Sequence, residues 1–165
     1  MADHIFLVGF MGAGKSTVGA ELARKLSRRF YDLDQLIEQS AGTTVARIFE
    51  AAGESEFRRL EQEAVARCDA LEPSVIAVGG GAFVSQINRE AMQRSGVSVW
   101  LNCPLETCLA RIRGDAGRPK LGADSAMREL LAKRICFYAK ADHVIETGDL
   151  DATAVADKIV AILGS

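Results

Sequence analysis

A chain of 165 residues is long enough to bury one substantial core and too short for two, and a composition of 48% hydrophobic and 25% charged residues excludes a disordered chain. The formal charge of −2, from 20 basic against 22 acidic side chains, excludes a global field for nucleic acid, so any anion must be caught by a local cluster. No apolar run approaches the roughly 20 residues of a membrane span and the first strand-like segment leaves no room for a signal peptide, so no membrane partner and a cytoplasmic location are expected.

The first element is a strand, "IFLVG" (5–9), followed at once by Gly9-Phe10-Met11-Gly12-Ala13-Gly14-Lys15-Ser16 and a helical run. This is the G-x-x-x-x-G-K-[ST] phosphate loop in its confirming context of strand before and helix after. Its glycines let backbone N–H groups turn around phosphate oxygens, Lys15 reaches the terminal phosphates and Ser16 offers a hydroxyl to Mg2+. A lysine in the first helical turn opposes the macrodipole unless an anion is bound there. The loop alone leaves kinase, switch and motor open.

The second strand is read as "RFYDLD" (29–34), where Asp32 and Asp34 share one face with roughly 6.6 Å of rise between them. That spacing suits one carboxylate near Mg2+ and the other at a substrate hydroxyl; capping of the helix near "QLIEQ" is the compatible bland role. A helix over 54–68 keeps Phe57, Leu60, Ala64, Val65 and Cys68 on one stripe, with Arg58 four residues after Glu54. The third strand, "SVIAV" (74–78), ends in Gly79-Gly80-Gly81 where many P-loop proteins carry the metal-side Asp, so the Asp32/Asp34 pair replaces it. Three consecutive glycines point to a close approach of backbone to ligand.

The fourth strand is "VSVWL" (97–101), with Pro104 opening a helix that carries Arg111. Residues 113–125, rich in Gly and charge and without clear periodicity, are expected to form a mobile lid carrying Arg118 and Lys120. A lid arginine acting on a transferring phosphoryl group is worth roughly 10^3 to 10^5 in rate. On the next helix Met127, Leu131, Ile135 and Tyr138 form an apolar stripe into which Arg134 falls. A guanidinium there is costly unless it snorkels or an anion meets it, and Arg58 and Arg134 together could clamp a small carboxylate. The last strand is "DHVIE" (142–146), and Asp151 caps the last helix.

Apolar strands alternating with helices predict an α/β chain: a single domain over 1–165, built on a five-stranded parallel sheet covered on both faces. Cys68, Cys103, Cys108 and Cys136 include no CxxC pair and the only histidines are His4 and His143, so buried reduced thiols are expected instead of a zinc site or disulfides. No N-K-x-D guanine-reading stretch occurs, which weighs against a GTP switch.

Over almost its whole length the chain resembles the shikimate kinase family. The resemblance is carried by "GFMGAGKST" (9–17), "YDLDQLIE" (31–38), "IFEAAGESEFRRLE" (48–61), "VGGGAF" (78–83), "WLNCPLETCLARI" (100–112), "GRP" (117–119) and "KRICFYAKAD" (133–142). It implies a P-loop NTPase-type three-layer sandwich of strand order 2-3-1-4-5 with a lid, and transfer of the ATP γ-phosphate to the 3-hydroxyl of shikimate; a small single domain with no evident sticky surface is expected to be a monomer. It further implies that Gly12, Ala13, Gly14, Lys15, Ser16 and Thr17 hold ATP phosphates, with Arg111 and Arg118 also on the nucleotide. Lys15, Asp34 and Arg118 would be catalytic, Asp34 as the base. Asp34, Arg58, Gly80 and Arg134 would hold shikimate, and Ser16 and, through water, Asp32 would hold Mg2+. An adenine-side loop would fall near 147–152. Lys120 and Cys136 stand where the family commonly has leucine and proline, and the stretch from Arg118 to Arg134 is short for the family.

Overall fold

The computed structural model describes residues 3–116 and 121–164. In chain order the elements are β1 (His4–Val8), α1 (Lys15–Leu26), β2 (Arg29–Asp32), α2 (Leu33–Ala41), α3 (Val45–Arg67), β3 (Ser74–Ala77), α4 (Gln86–Ser95), β4 (Gly96–Asn102), α5 (Leu105–Ala116), α6 (Leu121–Tyr138), β5 (His143–Glu146) and α7 (Ala152–Leu163). Five parallel strands form one sheet in the order β2-β3-β1-β4-β5. Every residue of β1 is buried although successive side chains point to opposite faces, so both faces of the sheet are covered. Ile5, Phe6, Leu7, Val75 and Ile76 make the centre of the core, each side chain worth roughly 1.5–3 kcal/mol of burial.

β1 has β3 on one side and β4 on the other, and chain order reverses across it. Such a switch point opens a crevice at the carboxyl ends of the strands, and the phosphate loop leaves β1 there. β2 pairs with β3 from Arg29↔Ser74 to Asp32↔Ala77, which sets Asp32 level with the strand end that runs into the three glycines.

Several sequence expectations need correction. β2 stops at Asp32, because the Asp32 carboxylate accepts from the N–H groups of Asp34 (2.9 Å) and Gln35 (3.4 Å) and starts α2. Asp34 therefore lies in a first helical turn, and the shared strand face does not exist. The helix expected at 54–68 is the second part of α3, which restarts after Gly53 with its φ of 79°. The expected loop at 113–125 is helical up to Ala116 and again from Leu121; Arg113 pairs with Asp124 between the two helices. Arg118 and Lys120 lie outside the described residues. On α6 Ile135 is 44% exposed, so the stripe runs through Leu131, Arg134 and Tyr138, and of the thiols Cys136 is exposed while the other three are buried. No described helix is long and apolar enough to cross a membrane.

Candidate active site

The phosphate loop is shaped by backbone. Gly12 and Gly14 sit at φ 79° and 93°, where an L side chain is strained, and a Cβ on Gly12 would stand 2.6 Å from the Cys108 carbonyl oxygen. α1 begins at Lys15 with no side-chain cap and no acid in its first turn, so its leading N–H groups and positive end are left for an anion. The Lys15 ammonium donates back to the carbonyls of Gly9 (2.7 Å) and Phe10 (2.9 Å). Burial lowers its pKa to about 8, against the opposing pull of the nearby Asp34 and Asp32 carboxylates. Ser16 Oγ donates to Asp32 Oδ2 at 3.2 Å, placing a hydroxyl and a carboxylate side by side at the loop mouth.

Arg111 lies against the phosphate loop: its Nη1 donates to the Gly12 carbonyl at 3.0 Å and lies 3.8 Å from Cys103 Sγ. A cavity of about 180 Å³ is lined there by Gly14, Thr17, Arg111, Thr147 and Asp151. Thr147 Oγ1 is buried without a hydrogen-bond partner among the described residues. The loop expected near 147–152 thus reaches the cavity shared by Arg111 and the phosphate loop.

On the other side each of the three glycines has a charged side chain as its nearest neighbour. A Cβ on Gly79 would stand 3.1 Å from Asp34 Oδ1, one on Gly80 3.0 Å from Arg134 Nη1, and one on Gly81 2.5 Å from Arg58 Nη2. The close approach expected of them is therefore made first to the protein's own acid and arginines. Asp34 Oδ1 is buried and has no hydrogen-bond partner among the described residues. Burial, and then the neighbouring Asp32, raise the Asp34 pKa above the usual carboxylate range. Arg58 and Arg134 border a cavity of about 380 Å³ that Gly81, Asn88 and Glu61 also line.

Glu61 was missed in the sequence. It is 1% exposed and accepts from Arg58 Nη1 at 2.8 Å, so it fixes the guanidinium far more firmly than Glu54, which is 3.5 Å away and open to water. Burial raises its pKa, with Arg58 opposing. The signal was present: Phe57, Glu61, Val65 and Cys68 recur at helical spacing and are the fully buried positions of that stripe. Asn88, whose Oδ1 is buried and without a hydrogen-bond partner among the described residues, had no such signal.

A phosphate loop at the switch point of a parallel sheet, facing an acid and two arginines across a cleft, defines a P-loop phosphotransferase for a small acceptor. The family model described as "Shikimate kinase" matches residues 11–164. The shikimate kinase of Symbiobacterium thermophilum is 50% identical over 146 residues, covering 86% of this chain and 84% of that one. That of Tolumonas auensis is 40% identical over 98% of this chain and 96% of its own. The solved structure of the Acinetobacter baumannii shikimate kinase in complex with shikimate superposes with a TM-score of 0.90 at 39% identity, covering 98% of this chain and 93% of the other. The chain belongs to the shikimate kinase family.

Proposed function

We propose that the chain, as one kinase domain, transfers the γ-phosphoryl group of ATP to the 3-hydroxyl of shikimate, giving shikimate 3-phosphate and ADP on the route to chorismate and the aromatic amino acids. The observation that carries the residue assignment is Asp34 Oδ1, a buried acceptor without a hydrogen-bond partner among the described residues and within electrostatic reach of Lys15 and Arg58. A substrate hydroxyl supplies the missing donor, and Arg58 and Arg134 take the carboxylate of the same molecule. As the acceptor oxygen bonds to phosphorus and the bond to ADP breaks, the hydroxyl proton passes to Asp34 and Lys15 follows the charge on the phosphoryl oxygens. Gly80 meets the acceptor through its backbone. Gly12 to Thr17 and Arg111 hold the nucleotide; Arg118, outside the described residues, completes the nucleotide set.

Mg2+ fits the Ser16 hydroxyl and, through water, the Asp32 carboxylate, both hard oxygen donors. No group of three or more His, Cys, Asp or Glu side chains among the described residues could hold the ion, so phosphates and water would complete its shell. When bound, the ion neutralises charge on the phosphates. The chain is read as a monomer acting in the cytoplasm, a reducing compartment with which its four free cysteines accord.

The direct test is ADP release with shikimate, with gluconate and with no acceptor; the expected result is turnover on shikimate alone, and turnover on gluconate instead would overturn the reading. Arg134→Ala should raise the shikimate KM by about 100-fold, the scale of a lost charge-assisted pair, and leave the ATP KM nearly unchanged. Equal changes in both would remove the carboxylate role.

A further inference from the structure

The Tyr138 hydroxyl donates to the Gly80 carbonyl at 2.6 Å, joining residues 58 positions apart. Tyr138 is 0% exposed, and a phenol so buried must find a partner for its polar end. Here that partner is the middle peptide of the glycine turn. The ring is held from the sheet side by Trp100, with centroids 5.9 Å apart and planes tilted by 38°. Arg134 stands one turn earlier on the same helix, and its Nη1 and the Tyr138 oxygen lie 3.0 and 3.5 Å from the point where a Cβ on Gly80 would be. Gly80 is thus gripped by two successive side chains of one face of α6. No peptide bond among the described residues is cis, so fixing the Gly80 carbonyl also fixes the N–H of Gly81 in the opposite direction. Gly81 in turn underlies the Arg58 guanidinium.

We propose that Tyr138 is a positioning residue for the acceptor: by pinning the Gly80 carbonyl, its hydroxyl sets the turn against which Arg58 and Arg134 are arrayed. This rests on the reading of that cavity as the shikimate site. Tyr138 reaches no reacting atom, so its loss acts on acceptor binding and leaves the nucleotide side alone.

Tyr138→Phe keeps the ring and its contact with Trp100 and removes only the hydroxyl. The expected result is a shikimate KM raised about 10-fold with the ATP KM within about twofold of wild type, a split that general loosening of the fold does not produce. Trp100 is the single tryptophan of the chain, so a fluorescence titration with shikimate gives the same shift in affinity without turnover. An unchanged shikimate KM, or equal changes in both KM values, overturns the assignment. Should the variant fail to fold, wild-type protein carrying 3-fluorotyrosine at its two tyrosines keeps it falsifiable. The Tyr138 fluorine resonance, assigned with Tyr31→Phe, should move on adding shikimate and stay in place with ADP alone; a resonance indifferent to shikimate overturns the proposal. Wild-type protein that releases no ADP with shikimate overturns the acceptor reading itself, whereas wild-type turnover beside an unchanged variant removes Tyr138 alone.

Discussion

Asp34→Asn is expected to lower kcat by roughly 10^2 to 10^4, the range a positioned base supplies, while the ATP KM stays near wild type. The substitution keeps the size of the side chain and an oxygen for the acceptor hydroxyl but cannot take its proton. Its pH signature is specific. Burial and Asp32 hold the Asp34 pKa above the ordinary carboxylate range, so wild-type kcat/KM should fall on the acid side through that raised value, and the variant should lack that limb. Stability should move the other way. A carboxyl whose pKa is higher folded than unfolded stabilises the fold at low pH and loses that contribution as pH rises through the folded value, so near neutrality ionised Asp34 is a liability. Asparagine removes it, and the Tm of the apo variant at pH 7 should rise. A variant with both kcat and Tm reduced would mean that Asp34 serves the fold and not the reaction. The cap on α2 is unaffected, because it is made by the Asp32 side chain.

How far the site was legible in the sequence follows from how local each part is. The phosphate loop was readable because its strand, glycines, lysine and helix are contiguous, and the strand order followed from the family resemblance. Asp32 and Asp34 were identified but misplaced. "RFYDLD" reads as one extended run, yet an aspartate that bonds the N–H groups two and three residues ahead ends a strand whatever the hydropathy beyond it. Glu61 looked like one more acid on a helix crowded with exposed Glu and Arg pairs, although its spacing from Phe57, Val65 and Cys68 already set it on the buried stripe where it meets Arg58. Tyr138 was placed on a core stripe, where its ring belongs, but the bond from its hydroxyl to Gly80 is a tertiary contact that no local pattern carries. The stretch 113–125 reads as loop, yet its charges at Arg113 and Asp124 are a pair between two helices.

Lys15→Met tests the opposite wall. Removing one preorganised charge from a transferring group costs roughly 10^2 to 10^3 in kcat, and ATP affinity should weaken as well. In the free protein the ammonium donates to the Gly9 and Phe10 carbonyls, and burial brings its pKa down to about 8. A base whose pKa is lower folded than unfolded penalises the fold while charged, and the penalty fades as pH rises from about 8 towards the unfolded value of 10.5. Phosphate oxygens reverse that balance by favouring the ammonium, so nucleotide binding must draw in a proton near and above pH 8. Calorimetric titration with ATP in buffers of different ionisation enthalpy should therefore show proton uptake at pH 8.5 in wild type, and ATP affinity should fall as pH rises past about 8. Methionine fills similar space without a charge, so the variant should show neither effect at this site. Proton uptake that persists in Lys15→Met would assign the titrating group elsewhere, and pH-independent ATP affinity in wild type would mean that the lysine is fully charged before the nucleotide arrives.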